Sequence, residues 1–304
     1  MFNRSLAVPT KKVLIIGAAV IDVIMELSKL PKTGEDVVAV EKGKVVGGCG
    51  YHVAAVLKYF QIPMDFLTPV GSGMNGKLIQ SALDEISSTG QIYDISEDNG
   101  WNLSLVESNG ERTFITVNGI ETKWKSEWFH GTDFSQYSHI YVSGYELEGE
   151  SGRTIVHVLK KHVTTQTILF DPGPRIPFID AEVWKQMLEF PLILTLNYDE
   201  AKLLCEKEEK EEMAKEIYAW IHAPVIIRNG EKGAAFYNGK SYHHIASFPT
   251  KVVDTIGAGD SHAGGLLSGL CQGLSFQESV KFANRVASQV VRQQGGKFCG
   301  FIDE

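Results

Sequence analysis

Short, continuously apolar runs alternate with helical patterns along most of this 304-residue chain. Strand candidates include KVLIIGAA, DFLTPVG, SHIYVSG, TILFDPG, PLILTLN and APVIIRNG, and helical stretches such as HVAAVLKYF, RTIVHVLKKH and EEMAKEIYAW lie between them. This alternation predicts a mostly parallel sheet with helices on both faces. Continuous apolar strands fit that arrangement because both of their faces are buried. We find no repeats and no interdomain linker, so we expect a single α/β domain over 1–304.

Two segments depart from this alternation. Residues 35–47, EDVVAVEKGKVVG, and 101–118, WNLSLVESNGERTFITVN, are predicted as strands with hairpin turns, and SNGERT would be the turn of the second. Together they would form a small β flap on the α/β body. Such a flap is suited to act as a lid over a cleft. The alternative is an ordinary β extension.

Composition narrows the class of protein. The net charge is −8 and no basic block occurs, which argues against nucleic acid or an anionic membrane as the main partner. No apolar run approaches the length of a membrane span, and the N-terminal MFNRSLAVPTKK lacks the apolar core of a signal peptide. The four cysteines form no C-x-x-C and the histidines no H-E-x-x-H. We therefore expect a cytoplasmic protein with reduced thiols and no zinc site.

The stretch GSGMNGKL, residues 71–78, partly matches two phosphate-binding patterns. The stretch nearly fits a P-loop, but Leu78 stands where a hydroxyl should reach the metal. The three glycines of the stretch also fit the dinucleotide-binding pattern G-x-G-x-x-G. A dinucleotide site would also need an acidic residue at the end of the next strand. Asp94 is roughly in range, although it lies in the polar stretch YDISEDNG. The third possibility is a plain turn between a strand and a helix.

The strongest signal is VVDTIGAGDSHAGG, residues 252–265. A strand-like run leads into Gly257, Ala258 and Gly259, and an apolar helical pattern follows. These small residues would lie at a helix N-terminus, where free backbone N–H groups and the helix dipole bind anions. Glycine lets a phosphate approach the backbone closely.

Asp260 is the unusual member of this stretch. A carboxylate near a helix start is stabilised by the dipole, so a helix cap is one interpretation. A carboxylate inside an anion hole would, however, repel a phosphate. The conflict is resolved if Asp260 faces an acceptor hydroxyl while the N–H groups face a transferring phosphoryl group. His262 lies roughly 200° further around the helix, so we expect it to pack or to lie at the surface.

At this point DTIGAGDSHAGG resembles the signature of the ribokinase-like (PfkB) carbohydrate kinases. The resemblance covers almost the whole chain, because GAAVIDV, GGCGYHVA, LNYDEA and IIRNGEKGA occur in the family's order and approximate spacing. It implies a three-layer α/β/α fold with a mostly parallel central sheet and a small β lid. It also implies an ATP-dependent sugar kinase that uses Mg²⁺.

The resemblance assigns roles to residues at the reacting centre. Asp260 would be the catalytic base, with Gly257, Ala258 and Gly259 as the anion hole. The substrate would be bound by Asp22, which we place at the end of the first strand, and by Gly48, His52 and Glu146. Asp22 is suited to this role because one carboxylate can accept protons from two hydroxyl groups.

The resemblance also implies a cofactor side. Asn197 and Glu200 match the family's N-x-x-E motif, share a helix face at i and i+3, and would organise Mg²⁺ through its waters. The residues expected to border ATP are Arg228, Gly230 and Gly233, with Asn284 near the adenine. A monovalent cation such as K⁺ would be bound by Asp254, Ile256 and the loop from Arg292 to Gly296.

Three positions depart from the family pattern. His52 replaces the usual Asn that touches the sugar, which adds a base or a steric limit there. His262 stands where Phe is common, and Gly73 replaces the Asp of G-x-D-x-x-G. The resemblance makes residues 71–78 a turn on the substrate side, so Lys77 would not bind a β-phosphate.

The sequence leaves the substrate open between a sugar, or sugar-like alcohol, and a ribonucleoside. Aromatic side chains from the flap, with Trp101 as a candidate, would favour the nucleoside. A catalytically silent binding or regulatory protein is the alternative from another class, although the intact Asp260, Asn197 and Glu200 argue against it. Because flaps of this kind also pair subunits in many relatives, we expect a homodimer.

Overall fold

The computed structural model describes residues 11–108 and 111–301, and the predicted apolar runs form its strands. Within the described residues the strands are β1 (Lys12–Ile16), β2 (Val20–Leu27), β3 (Ala39–Gly47), β4 (Met64–Val70), β5 (Gln91–Tyr93), β6 (Trp101–Glu107), β7 (Arg112–Val117), β8 (Tyr137–Ser143), β9 (Thr167–Asp171), β10 (Leu192–Asn197), β11 (Val225–Arg228), β12 (Ala234–Tyr237) and β13 (Tyr242–Ile245). The α-helices are α1 (Cys49–Tyr59), α2 (Met74–Glu85), α3 (Gly149–His162), α4 (Ala181–Met187), α5 (Tyr198–Lys202), α6 (Lys210–Ile221), α7 (Ala258–Cys271) and α8 (Phe276–Val290). All six predicted strands and all three predicted helices are confirmed.

The large sheet has the order β13-β12-β11-β10-β9-β8-β1-β4-β5 in the described part of the chain. Its pairs are parallel from β5 to β11, and β12 and β13 add an antiparallel edge. Alternate residues of β1 serve opposite faces: Val13 and Ile15 join the apolar cluster that contains α1 and α7, whereas Leu14 and Ile16 join the cluster that contains α3 and α6. The three-layer α/β/α fold is therefore confirmed.

A second, smaller sheet has the order β3-β2-β6-β7 among the described residues. The flap is thus confirmed as a β element, but two details of the prediction were wrong. Residues 35–47 give one strand, β3, which is bulged near Lys42 and pairs with β2 rather than with itself. The segment 20–27, which we did not assign to the flap, is one of its two inner strands. The predicted SNGERT turn includes residues 109–110, which lie outside the described residues.

The fold brings the ends of several strands to one edge. The carboxyl ends of parallel strands lie together, so β1, β8, β9, β10 and β11 all deliver loops to the same side of the sheet. The small sheet begins directly after β1, and the N-terminus of α7 follows the last strand. This edge is where the predicted site residues can meet. No helix within residues 11–108 and 111–301 is long and apolar enough to cross a membrane.

Candidate active site

The N-terminus of α7 has the features that the sequence predicted. Gly257 has a left-handed φ of +70° and precedes the helix, which begins at Ala258. A Cβ at Gly257 would lie 2.5 Å from backbone atoms of Gly296, so only glycine fits. Among the described residues no side chain caps this end of the helix. The Ala258 amide donates to the Thr255 carbonyl at 3.2 Å, which leaves the amides of Gly257, Gly259 and Asp260 to bind an anion.

Asp260 lies in that first turn and is hydrogen-bonded to two residues of α1. Its Oδ2 is 2.9 Å from Nδ1 of His52, and the Cys49 thiol also hydrogen-bonds it. Burial alone would raise the pKa of Asp260, but these two hydrogen bonds and the nearby charges of His52 and Arg228 lower it below its ordinary value. The carboxylate is therefore ionised at neutral pH, as expected for a base that must accept a proton.

Asp22 reaches the same region from a different element than we predicted. It does not end β1 but lies in β2, in the small sheet, where its Oδ1 accepts a hydrogen bond of 2.9 Å from Asn102. Burial raises its pKa, and the charge of Asp260 adds to this effect. A Cβ at Gly47 would lie 2.0 Å from Oδ2 of Asp22, so glycine makes room for the carboxylate. Asp22 is therefore part of the flap.

Gly48 and Glu146 both lie against Ala18, in the loop after β1. Gly48 has φ +102°, and a Cβ there would lie 2.6 Å from the carbonyl oxygen of Ala18. Glu146 is buried and accepts hydrogen bonds from the Ala18 amide, at 3.0 Å, and from the Ser143 hydroxyl. Burial raises its pKa to about 7. Both oxygens of Glu146 thus have protein donors, which tie the loop after β1 to the end of β8.

Arg228 organises a second cluster at the ends of β9, β10 and β11. Its guanidinium binds Asp171 through two hydrogen bonds of 2.8 and 3.2 Å and approaches Glu200 at 3.5 Å. A Cβ at Gly259 would lie 2.8 Å from Nη1 of Arg228. A buried cation is thus placed against the anion hole. Asp171 was missed by the sequence reasoning, although its position at the end of a buried strand, in FDPG, was a usable signal.

Asn197 and Glu200 form a capping box at the start of α5 and do not simply share a helix face. The Asn197 side chain accepts from the Glu200 amide at 2.8 Å, and Glu200 accepts from the Asn197 amide at 2.7 Å. This reciprocal pairing is a common way to satisfy the free amides of a helix start. Burial raises the pKa of Glu200. The box fixes the Glu200 carboxylate beside Arg228.

The other predicted ATP-side residues lie in a tight turn and on α8. Gly230 and Gly233 have φ values of +52° and +83° in the turn after β11. Asn284 donates to the carbonyls of Ile245 and Ala246 and bonds Nε2 of His262, so its polar atoms are used within the protein. His262 is buried, as expected for a packing residue, and burial lowers its pKa to about 3.

The predicted cation loop is brought together by Asp254. Its two carboxylate oxygens accept from the amides of Ile256 and Gly295, both at 3.0 Å. The segment before α7 is thereby joined to the segment after α8. This agrees with the expected neighbourhood of Asp254, Ile256 and the 292–296 loop.

At the glycine-rich turn 71–76, a side chain of the protein already occupies the amides at the start of α2. Both oxygens of Asp98 accept from the first amides of α2, those of Asn75 at 3.0 Å and Gly76 at 2.8 Å. Asp94, the acidic residue that a dinucleotide site would need, is paired with Lys125 at 2.5 Å. The turn therefore has no free anion site of the kind found at α7.

A cavity of about 470 Å³ lies between the flap, α2, the first turn of α1 and the 293–299 segment. Its walls include Asp22 and His52, and the flap contributes Ser104 and Phe114, whereas Trp101 does not line it in the described structure. Ile256 and Gly296 connect the cavity to the loop before α7. Asp260 does not itself line the cavity, but its hydrogen-bond partner His52 does.

An α/β/α body with a β lid, and an aspartate at an uncapped, glycine-led helix start, define a phosphotransferase of the sugar-kinase type. Residues 10–301 match the pfkB family of carbohydrate kinases, and the chain belongs to that family. It is therefore a kinase that uses an alcohol group as acceptor.

A relative agrees with this assignment, and solved structures share the fold. The uncharacterized sugar kinase YegV of Escherichia coli (strain K12) is 36% identical over 290 residues, which cover 94% of this chain and 90% of that protein. A ribokinase structure from Thermotoga maritima superposes with a TM-score of 0.81 at 22% identity, over 94% of each chain. Arabidopsis thaliana ribokinase, complexed with ribose and ATP, gives 0.79 at 24% identity, again over 94% of each chain.

Proposed function

We propose that the protein transfers the γ-phosphoryl group of ATP to a hydroxyl of a sugar or sugar-like substrate. The observation that carries the proposal is the uncapped start of α7, where the ionised Asp260 lies beside free amides and Arg228. Phosphoryl transfer needs this combination, because charge must be stabilised on the phosphoryl oxygens while a carboxylate takes the hydroxyl proton. ATP as donor is supported by the ribokinase relatives.

In this mechanism each part of the site has one task. The acceptor hydroxyl gives its proton to Asp260 as its oxygen bonds to the γ-phosphorus. The bond from that phosphorus to the bridging oxygen breaks, and ADP leaves. The amides of Gly257 and Gly259, with the guanidinium of Arg228, would hold the phosphoryl oxygens, whereas the Ala258 amide, which we had placed in the anion hole, donates to the Thr255 carbonyl. Asp22, carried by the flap, would bind further hydroxyls of the acceptor.

Two cations belong to the proposal. Mg²⁺ keeps most of its waters and takes few protein ligands. The carboxylate of Glu200, held beside Arg228, fits this as an acceptor for metal-bound water. When bound, Mg²⁺ would neutralise charge on the phosphates. K⁺ would be bound near Asp254 and Ile256, which is supported by the joining of their loop to Gly295.

A ribonucleoside is the second candidate acceptor. It is favoured by the size of the cavity, about 470 Å³, and by the aromatic ring of Phe114, which the flap places in the wall. A base can stack on such a ring, whereas a sugar does not need it. The two candidates share the transfer chemistry and differ only in what fills the cavity.

We also propose that the flap pairs two subunits. Away from the cavity, its strands expose Val40, Ile115 and Val117, which are 41–57% accessible. Apolar surface of this kind on an otherwise polar protein is typical of an interface. Light scattering at micromolar concentration should give the mass of a dimer, and a monomer would contradict this part of the proposal.

All four cysteines are free thiols, which supports a reducing, cytoplasmic location.

The direct test is ATP turnover over a panel of sugars, sugar alcohols and ribonucleosides. We expect ADP release that depends on Mg²⁺ and on one class of acceptor, with Asp260→Asn as the inactive control. A folded, ATP-binding protein that phosphorylates no member of the panel would contradict the proposal. Turnover of nucleosides alone would select the second candidate.

A further inference from the structure

The first turn of α1 meets the first turn of α7 at the proposed base. The His52 ring is only 4% exposed and lies with Nδ1 at 2.9 Å from Oδ2 of Asp260. Its opposite edge packs on Gly296, where a Cβ would come within 2.5 Å of the His52 Cε1 atom. The ring is therefore held on two sides, by the carboxylate and by backbone.

The hydrogen bond between the two residues has only one possible direction. An ionised carboxylate accepts hydrogen bonds and cannot donate them. Nδ1 of His52 must therefore carry the proton that lies between the residues. The other titratable groups near this pair are the Cys49 thiol, from the same turn of α1, the Asp22 carboxylate of β2, and the ion pair of Arg228 and Asp171.

We propose that His52 is a positioning residue for the phosphoryl transfer. By donating from Nδ1 to Oδ2, it fixes the carboxylate plane of Asp260 and thereby the direction of Oδ1, which would face the acceptor hydroxyl. The acceptor proton goes to Asp260, and His52 keeps its own. The inference rests on the proposed role of Asp260 as base, and it gives a task to the histidine that replaces the family's asparagine.

A matched pair of variants separates this role from packing. Asparagine and leucine have nearly the same shape, but only asparagine keeps a nitrogen donor bonded to Cγ, where Nδ1 of His52 is bonded. We expect His52→Leu to lower kcat by about 10²-fold, the usual effect of a misplaced catalytic group. His52→Asn should retain most of kcat and change the acceptor KM, because the outer edge of the ring is lost from the cavity wall.

His139→Gln is the control, since His139 lies on β8 and contacts Ser138 and Cys271, far along α7 from Asp260. Its kcat should equal that of wild type. Thermal unfolding of each variant checks that the fold is intact. Equal kcat values for the folded His52→Leu and His52→Asn variants would overturn the inference, whether both are high or both are low.

A second measurement does not depend on finding the acceptor. In two-bond ¹H–¹⁵N spectra of ¹⁵N-histidine protein at neutral pH, the His52 signals are assigned from their loss in His52→Asn. We expect Nδ1 to be protonated in wild type and to lose this preference in Asp260→Ala. A bare Nδ1 in wild type would overturn the inference. Failure of the whole substrate panel would instead contradict the proposed function and leave this result standing.

Discussion

Two glycine-rich turns of this protein precede helices and look alike in the sequence, yet they have opposite fates. At residues 71–76 the first amides of α2 are bonded by both oxygens of Asp98. At 257–260 the nearby carboxylate, that of Asp260, is bonded to His52 of another helix, and no described side chain caps α7. One turn carries its own anion, and the other leaves its amides for a ligand.

Glycines before a helix are therefore not sufficient for a phosphate site. What matters is whether an acidic side chain reaches the helix start. Asp98 lies in a loop beside α2, far from residue 71 in sequence, so a local motif cannot reveal it. At α7 the acidic residue, Asp260, lies within the turn, but its carboxylate is hydrogen-bonded to His52 of α1. The surroundings of the turn, rather than its own residues, decide its function.

The largest expected difference between the two turns is in catalysis. Asp260→Asn keeps the shape and removes the base, so we expect kcat to fall by about 10²–10⁴-fold. Binding of ATP should change little, and folding should survive because Asn is also favourable at a helix start. Asp98→Asn should leave kcat near the wild-type value. Steady-state kinetics of both purified variants measures this difference in kcat. A nearly normal kcat for Asp260→Asn would contradict the proposed role of Asp260 as the base.

The glycines should also respond differently. A methyl group on Gly259 would lie 2.8 Å from the Arg228 guanidinium and would enter the anion hole, so Gly259→Ala should lower kcat/KM for ATP by about 10²-fold. A methyl group on Gly73 would lie 2.1 Å from Oδ2 of Asp98. Gly73→Ala should therefore cost stability, about 1–3 kcal/mol by overpacking, with little change in kcat/KM. A loss of kcat/KM in Gly73→Ala with a normal value in Gly259→Ala would contradict the roles assigned to the two turns.

The stabilising role of Asp98 should depend on pH. Burial raises its pKa, but the amides of Gly76, Asn75 and Asn99 outweigh burial and lower it below the ordinary 3.8. A lowered folded pKa gives stability that is present above 3.8 and is lost as pH falls through the folded value. Asp98→Ala should thus cost about 1 kcal/mol at neutral pH, as for other helix caps, and less in acid. Urea unfolding at several pH values measures this, and a difference that grows in acid would argue against it.

The smallest effect is expected at Lys77. A P-loop lysine would contact the phosphates, but Lys77 lies exposed on α2, whose start is occupied by Asp98. Lys77→Ala should leave the KM for ATP unchanged. A clear rise in that KM, without loss of folding, would mean that the 71–78 turn binds nucleotide after all.

Much of the fold could be predicted because its signals are local. The apolar runs of the central sheet are continuous, and β4, β8, β9 and β10 are each followed by a helix before the next strand. The flap was harder to predict, since β2 follows β1 after only three residues and reads as part of the same apolar run. Residues 35–47 looked like a hairpin because their actual partner, the preceding strand β2, had not been recognised as a strand of the flap.

The site was predicted where the motif and the chemistry coincide, as at Asp260. The partners of the predicted residues were not predictable, because they are long-range contacts. Asp171 joins Arg228 across 57 positions, and His52 joins Asp260 across 208. The burial of Glu146 against the Ala18 amide, which supplies a protein partner to a predicted substrate contact, likewise depends on packing that no local pattern records.

The most direct test of the account is a crystal structure of the wild-type protein with Mg²⁺ and an unreactive ATP analogue that has a β,γ-imido bridge. We expect the terminal phosphate to contact the amides of residues 257–260 and the Arg228 guanidinium, while Asp98 still caps α2. A terminal phosphate bound at residues 71–76, with Asp98 displaced, would contradict it.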